Sequence, residues 1–222
     1  MAAVNRPPSN RDRSRQLIVT TCSMVSLAAA FVATRFWFKI FIGKMALGGD
    51  DWFSLAAVVA IIPSAFLLVY GLAANGIGRD IWTLEPQQIT NALMYFHISA
   101  CLYFVDTALV KLSMICFYLR IFPARTTRWW LLGTVMSTTI WTTIFVLVTI
   151  FQCRPVSYFW TQWNGMQSGS CLDANAIAWS HASINIALDV WILAVPLWEL
   201  RALQLHWRKK MAVALMFCVG TA

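Results

Sequence analysis

One apolar stretch constrains the fold more than any other, because it is long and carries two charges. It covers residues 91–122 and includes Asp106 and Lys111. As a helix, its roughly 30 residues extend about 45 Å, and roughly 20 residues are enough to cross the hydrocarbon core of a bilayer. A charge inside the bilayer costs about 2.5–3.5 kcal/mol or more, so such residues normally face the interior of a helix bundle. The stretch therefore predicts a central membrane helix with the other helices packed around it.

The composition is that of a membrane protein, with 59% hydrophobic and 12% charged residues. Four other apolar runs cover residues 17–38, 52–74, 129–152 and 176–200, and a partial run covers 211–222. These runs predict an all-α, polytopic transmembrane helix bundle over residues 17–222, preceded by a disordered basic tail over 1–16. The last run is too short to cross a bilayer, so we expect the sequence to be a fragment or to have lost its last helices.

The basic residues lie at the ends of the apolar runs, so topology accounts for the net charge of +8 better than a nucleic-acid partner does. The loops after the first, third and fifth runs share one side of the membrane and carry nine Lys and Arg. The opposite side carries six, four of them in the N-terminal tail. The positive-inside rule then favours an N-terminus outside the cell. We expect a multi-pass protein of the plasma membrane, with a possible cytoplasmic partner at the basic loops.

Several motifs in order resemble the fungal rhodopsin-domain integral membrane proteins, a seven-helix, receptor-like family. They are Asp50-Asp51-Trp52, Gly76-Ile77-Gly78, Lys111-Leu112-Ser113, residues 117–123, residues 151–155 with Trp160 and Cys171, and Asn185, Asp189 and Pro196. Arg79 departs from the family, which often has His after the Gly-x-Gly turn. The resemblance implies a sixth and a seventh helix, so we expect the last helices of the family to be truncated in this sequence. It implies no retinal cofactor, because a lysine of the rhodopsin kind would lie on the last helix and Lys111 is on the third.

The polar residues of the third and fifth runs are the candidate ligand or polar-core residues. Asp106 and Lys111 lie about 140° apart around one helix, so each needs a partner from another helix. His181, Asn185 and Asp189 recur every four residues and form one stripe. Lys111 and Asp189 are expected at nearly the same depth in the bilayer, so a contact between them is geometrically possible. That contact would be a structural ion pair or part of a ligand or proton pathway; absence of any contact is the third alternative.

Cys153 and Cys171 bracket the loop after the fourth run, which the charge count places outside. An oxidising compartment favours a disulfide between them, and two unrelated thiols are the alternative. The adjacent Asp50 and Asp51 predict an N-terminal helix cap rather than a metal-diphosphate site, because no second acidic motif accompanies them. The sequence contains no HExxH, Gly-x-Ser-x-Gly or P-loop motif, so we predict neither catalytic residues nor a metal site.

Three functions remain open at this level. The first is receptor-like sensing or binding of a small lipophilic ligand in a cavity among the helices. The second is a membrane-embedded enzyme of fungal secondary metabolism, such as a cyclase that uses intramembrane Asp106 or Asp189. The third is a scaffold or transporter subunit. The inner loops are short, about 6–13 residues, which mildly weakens the receptor hypothesis. The sequence identifies no ligand or substrate.

Overall fold

Five long helices account for the five apolar runs. The computed structural model describes residues 14–42, 48–78, 84–122, 124–165 and 168–202. The elements are α1 (Ser14–Trp37) with a π-helical extension (Phe38–Ile42), α2 (Gly49–Phe66) with a π-helical extension (Leu67–Ala73), α3 (Pro86–Ile121), α4 (Arg125–Ile150), β1 (Cys153–Arg154), α5 (Tyr158–Thr161), a 3-10 turn (Gln162–Asn164), β2 (Ser170–Cys171) and α6 (Ala174–Ala202). The predicted all-α membrane bundle is confirmed.

Helix α3 is longer than the apolar run that predicted it, because it begins at Pro86. Proline fits the first turn of a helix, where its missing N–H has no intrahelical partner. The Gln88 side chain accepts a hydrogen bond from the Glu85 N–H at 3.1 Å and closes this end of the helix. Helix α1 likewise begins early, at Ser14, within the expected tail. Residues 1–13 of that tail and the partial run 211–222 lie outside the described residues.

Helix α3 is the central helix, as the sequence predicts. It contacts α2, α4, α5 and α6. Its buried positions Phe104, Ala108, Lys111, Ile115 and Tyr118 are separated alternately by four and three residues. This spacing places them along one face of the helix. The 36-residue helix therefore provides the surface on which the other helices pack.

The tightest packing lies toward the C-terminal end of α3. Ile115, Tyr118 and Phe122 form a buried cluster with Leu131 on α4 and Ile192 on α6. Each of these side chains is nearly inaccessible, so the three helices are held together by apolar contacts at this level. The cluster fixes the relative position of α3 and α6, which carry the polar residues described below.

The outer faces of the helices are apolar, as a lipid environment requires. On α4, Met136, Ile140, Ile144 and Leu147 are exposed, whereas Thr138 on the opposite face is buried. A soluble protein rarely exposes so continuous an apolar face. Five helices of the described chain are long and apolar enough to cross a membrane. The protein is therefore a multi-pass membrane protein.

Candidate functional site

The polar centre of the bundle joins α3 to α6 through Lys111, Asn185 and Asp189. The Lys111 ammonium contacts the Asp189 carboxylate and donates a hydrogen bond to the Asn185 backbone oxygen at 3.2 Å. The Asn185 side-chain amide donates a hydrogen bond to the second Asp189 oxygen at 3.4 Å. The structure thus brings together two residues of the predicted stripe and the predicted lysine.

The two charged side chains of this centre differ in exposure. The Lys111 side chain is 6% exposed, whereas that of Asp189 is 50% exposed. A buried ammonium without a partner is costly, so Lys111 depends on Asp189. Asp189 also depends on Lys111, because an unpaired carboxylate inside a bilayer is costly as well. The exposed side of the carboxylate leaves acceptor positions open to a group outside the described helices.

His181 is the third member of the predicted stripe, but it does not join the charge pair. It lies two turns away from Asp189 along α6 and is buried among aromatic rings. Its ring centroid lies 4.3 Å from that of Phe104, 5.2 Å from that of Phe145 and 5.9 Å from that of Tyr103. The structure therefore gives His181 an aromatic setting, with no hydrogen bond to Lys111 or Asp189 among the described contacts.

Asp106 faces α2, on a different side of α3 from Lys111. Its Oδ2 accepts a hydrogen bond from the Ser64 hydroxyl at 2.7 Å. Its Oδ1 is buried and has no hydrogen-bond partner among the described residues. The angular separation predicted from the sequence is thus present in the structure. Lys111 and Asp106 therefore belong to separate polar sites, one between α3 and α6 and one between α3 and α2.

A third polar site lies at the N-terminal end of α2, where Asp50 and Asp51 are each about 1% exposed. Lys39 donates to both carboxylates, at 3.1 Å to Asp50 and at 2.6 and 2.8 Å to Asp51. Arg35 contacts Asp50 and donates to Asp51 at 3.2 Å. Arg120 lies 3.5 Å from the other Asp50 oxygen. This ion cluster ties α1 and its extension, α2 and α3 together.

The predicted cap role of these aspartates is only part of what they do. Asp51 does accept a hydrogen bond from the Gly48 N–H at 3.0 Å, at the start of α2. The charged contacts were not anticipated from the sequence. The sequence did contain a pattern that indicates these contacts. Arg35 lies in an apolar run, four residues from Lys39 and on the same helix face. Two cations on one face next to an Asp-Asp pair in the following turn favour an ion cluster.

The segment between α4 and α6 is a small hairpin rather than a plain loop. Strands β1 and β2 pair antiparallel, with Cys153 opposite Cys171, and a disulfide joins these two residues. The predicted disulfide is therefore confirmed. The hairpin is anchored on α3, because the Gln152 amide lies 3.1 Å from the Nδ1 of buried His97. The ring of Phe159 also packs on His97, with centroids 4.8 Å apart.

Long apolar helices around a central α3, with ion pairs inside the bundle and a disulfide-closed hairpin at one end, define a polytopic membrane helix bundle. The chain belongs to the fungal rhodopsin domain family, whose model matches residues 34–222. The match includes every charged residue of the three polar sites described above. The predicted family is confirmed. No solved structure matches the chain.

Three curated relatives illustrate the family. The chain is 30% identical to the satratoxin biosynthesis SC1 cluster protein 4 of Stachybotrys chartarum, over 54% of this chain and 44% of the relative. It is 25% identical to the polyenoic acids biosynthesis gene cluster protein Ba17b of Metarhizium anisopliae, over 86% and 52%. It is 27% identical to the SAT4 family membrane protein of Emericella nidulans, over 66% and 38%. The matched region is thus about half, or less, of each relative's length.

Proposed function

We propose that the protein binds a small lipophilic molecule inside its helix bundle, in a receptor-like manner, at the polar centre of Lys111, Asn185 and Asp189. The observation that carries this proposal is the exposure of the Asp189 carboxylate beside a buried Lys111. The exposed side of the Asp189 carboxylate can accept a further hydrogen bond. Inside a bilayer, an accessible carboxylate is a strong acceptor for a hydroxyl or amine of an otherwise apolar ligand.

The names of the relatives support the chemical class of this ligand. One is named for satratoxin biosynthesis and another for polyenoic acids biosynthesis. By analogy, we propose that the ligand is a secondary metabolite or one of its precursors, mostly apolar and with a polar group that reaches Asp189. His181 lies on the same stripe of α6 as Asp189, and the rings of Phe104 on α3 and Phe145 on α4 give it an apolar and polarisable surface. Such a surface suits an unsaturated ligand.

The test is to identify what the protein carries. The full-length protein and its Asp189→Asn variant would be purified from fungal membranes, and their organic extracts compared by mass spectrometry. Ile186→Ala is the matched control, because Ile186 lies on α6 and is exposed on its surface. We expect a small molecule to copurify with the wild type and the control and to fall roughly tenfold with Asp189→Asn, which loses a charge-assisted hydrogen bond. Equal amounts in all three extracts would contradict the proposal.

A second candidate function is a membrane-embedded enzyme, and one observation favours it. The Oδ1 atom of Asp106 is buried without a hydrogen-bond partner among the described residues. A carboxyl group with an unused oxygen in an apolar site is suited to donate or accept a proton, as a cyclase-type reaction requires. Neither function requires the other polar site, so the two can be tested separately.

The enzyme hypothesis predicts that Asp106→Asn, introduced into the chromosomal gene, abolishes one metabolite and accumulates its precursor. Thr107→Val is the control, because the Thr107 hydroxyl donates to the Tyr103 carbonyl of its own helix at 2.8 Å. An unchanged metabolite profile in the Asp106 variant, with ligand binding retained, would reject the enzyme and leave the binding function.

We propose a plasma-membrane location with the N-terminus outside, and two features support it. Disulfides persist in oxidising compartments, which favours an outer position for the Cys153–Cys171 hairpin. The Ser14 hydroxyl donates to the Ile77 carbonyl at 3.2 Å, so α1 begins at the end of the bundle where α2 ends, remote from the ion cluster of Asp50. Because successive spanning helices alternate in direction, the hairpin after α4 lies at that same end. The basic ends of α3 and α4 would then face the cytoplasm, where a partner could contact them. A glycosylation acceptor fused to the N-terminus would be modified in this orientation and not in the opposite one.

A further inference from the structure

A groove between α4 and α6 is separate from the three polar sites. It encloses about 410 Å³ and lies where α4 begins and the described part of α6 ends. Its walls include Trp130 on α4 and Trp191 and Trp198 on α6, with Thr127 and Glu199 beside them. Because α4 begins here, the groove lies near the level of the lipid headgroups rather than at the centre of the bilayer.

Two tryptophans form adjoining walls of this groove. The rings of Trp130 and Trp191 meet edge to face, with centroids 6.0 Å apart and an angle of 68° between their planes. The Trp191 indole N–H donates to the Thr134 hydroxyl at 3.1 Å, which fixes the orientation of that ring. Indole faces attract cations, and several faces around one space form a site for a quaternary ammonium group.

A carboxylate completes the groove. The Thr127 hydroxyl donates to Glu199 Oε2 at 2.6 Å and holds the carboxylate in place. The described lining contains no lysine or arginine, so the charge of the groove is negative. Arg125 and Arg128 lie on the same first turn of α4 and are exposed. A negative aromatic groove next to exposed arginines is complementary to a zwitterion, whose cation would enter the groove and whose phosphate would lie outside it.

We propose that this groove binds the trimethylammonium headgroup of a phosphatidylcholine molecule. The aromatic walls and Glu199 would hold the cation, and Arg125 or Arg128 the phosphate. The acyl chains would lie along the apolar outer face of α6, where Leu197 is exposed. This lipid site is independent of the ligand proposed for the Lys111–Asp189 centre. The site would determine which lipid headgroup binds at this end of α4 and α6.

The experiment uses the full-length protein in nanodiscs that contain equal amounts of phosphatidylcholine and phosphatidylglycerol. Native mass spectrometry would count the lipids that remain bound to the wild type, Glu199→Gln and Trp130→Leu. Glu199→Gln removes the charge but keeps an oxygen that can accept from Thr127. Trp179→Leu is the control, because Trp179 is an exposed tryptophan near the other end of α6. We expect phosphatidylcholine to be preferred by the wild type and the control, and this preference to fall about three- to tenfold in both groove variants.

Four results would overturn the proposal. They are equal retention of both lipids by the wild type, retention of neither lipid, an unchanged preference in Glu199→Gln, and displacement of the lipid by soluble choline chloride at equal concentration. Retention of neither lipid would mean that protein side chains fill the groove. Displacement by choline would mean that the groove selects a free cation. If Trp130→Leu does not fold, Glu199→Gln decides the result.

Discussion

The Lys111 ammonium on α3 contacts the Asp189 carboxylate on α6, 78 positions further along the chain. The lysine is buried and the aspartate is half exposed, so the pair is asymmetric. Removal of the aspartate leaves a buried cation whose remaining hydrogen bond is to the Asn185 carbonyl. Removal of the lysine leaves an unpaired carboxylate whose remaining hydrogen bond is from the Asn185 amide. The pair therefore needs both partners, and Asp189 is the one with an exposed side.

The disulfide should contribute to the stability of the hairpin and to its attachment to α3. Cys153 and Cys171 are 18 positions apart, and a loop of this size predicts a contribution of about 3 kcal/mol. Cys153→Ser should lower the thermal stability of the purified protein and make the hairpin more sensitive to proteolysis. Cys22→Ser is the control, because Cys22 is an exposed free cysteine on α1. If non-reducing peptide mapping showed both thiols free in the mature protein, the disulfide assignment would be wrong.

The ion cluster at the start of α2 should be more sensitive to loss of an aspartate than to loss of Arg120. Asp51→Asn keeps an acceptor for the Gly48 N–H but removes the charge that faces Lys39 and Arg35. Breaking a buried pair in this way costs about 3–5 kcal/mol. Arg120→Gln should cost much less, because Arg120 is partly exposed and lies 3.5 Å from Asp50. Thermal unfolding in detergent compares the two losses of stability, with Asp173→Asn at an exposed residue as the control. Equal losses of stability for Asp51→Asn and Arg120→Gln would contradict the prediction.

The outer face of α4 should tolerate a charge at its end but not at its middle. Ile140 and Trp129 are both exposed, and Ile140 lies near the centre of the helix. Ile140→Arg should reduce membrane insertion, at a cost of about 2.5–3.5 kcal/mol, whereas Trp129→Arg should insert normally beside the basic start of α4. Quantitative insertion measurements on the two variants compare the costs. Equal insertion would mean that this face of α4 is not in contact with lipid.

The sequence predicted the helices well because a bilayer allows few alternatives. A run of about 20 apolar residues must form a helix, and a charge inside it must face another helix. The central position of α3 and the contact of Lys111 with the predicted α6 stripe follow from these rules, and the disulfide follows from the outer position predicted for its loop. The start of α3 at Pro86 lay outside the apolar run, so hydropathy alone placed it five residues too late.

The contacts that the sequence did not predict depend on the rotation of helices and on short-range geometry. The stripe of His181, Asn185 and Asp189 is one face by spacing, yet His181 packs against Phe104 while Asp189 reaches Lys111. The exposure of Asp189 and the groove beside Trp130 depend on how α6 lies against α3 and α4. Periodicity fixes which residues share a face but not what that face meets, so these features required the structure.

The most direct test of the polar centre is a double-mutant cycle on the thermal stability of the detergent-solubilised protein. It compares Lys111→Met, Asp189→Leu and the double variant. We expect each single change to strand a charge, so that the double variant is more stable than Lys111→Met or Asp189→Leu alone, with a coupling energy of about 1 kcal/mol or more. The same cycle with Lys111→Met and Asp106→Leu should be additive, because Asp106 bonds to Ser64 on another side of α3. A coupling energy indistinguishable from zero for Lys111 and Asp189 would contradict the account.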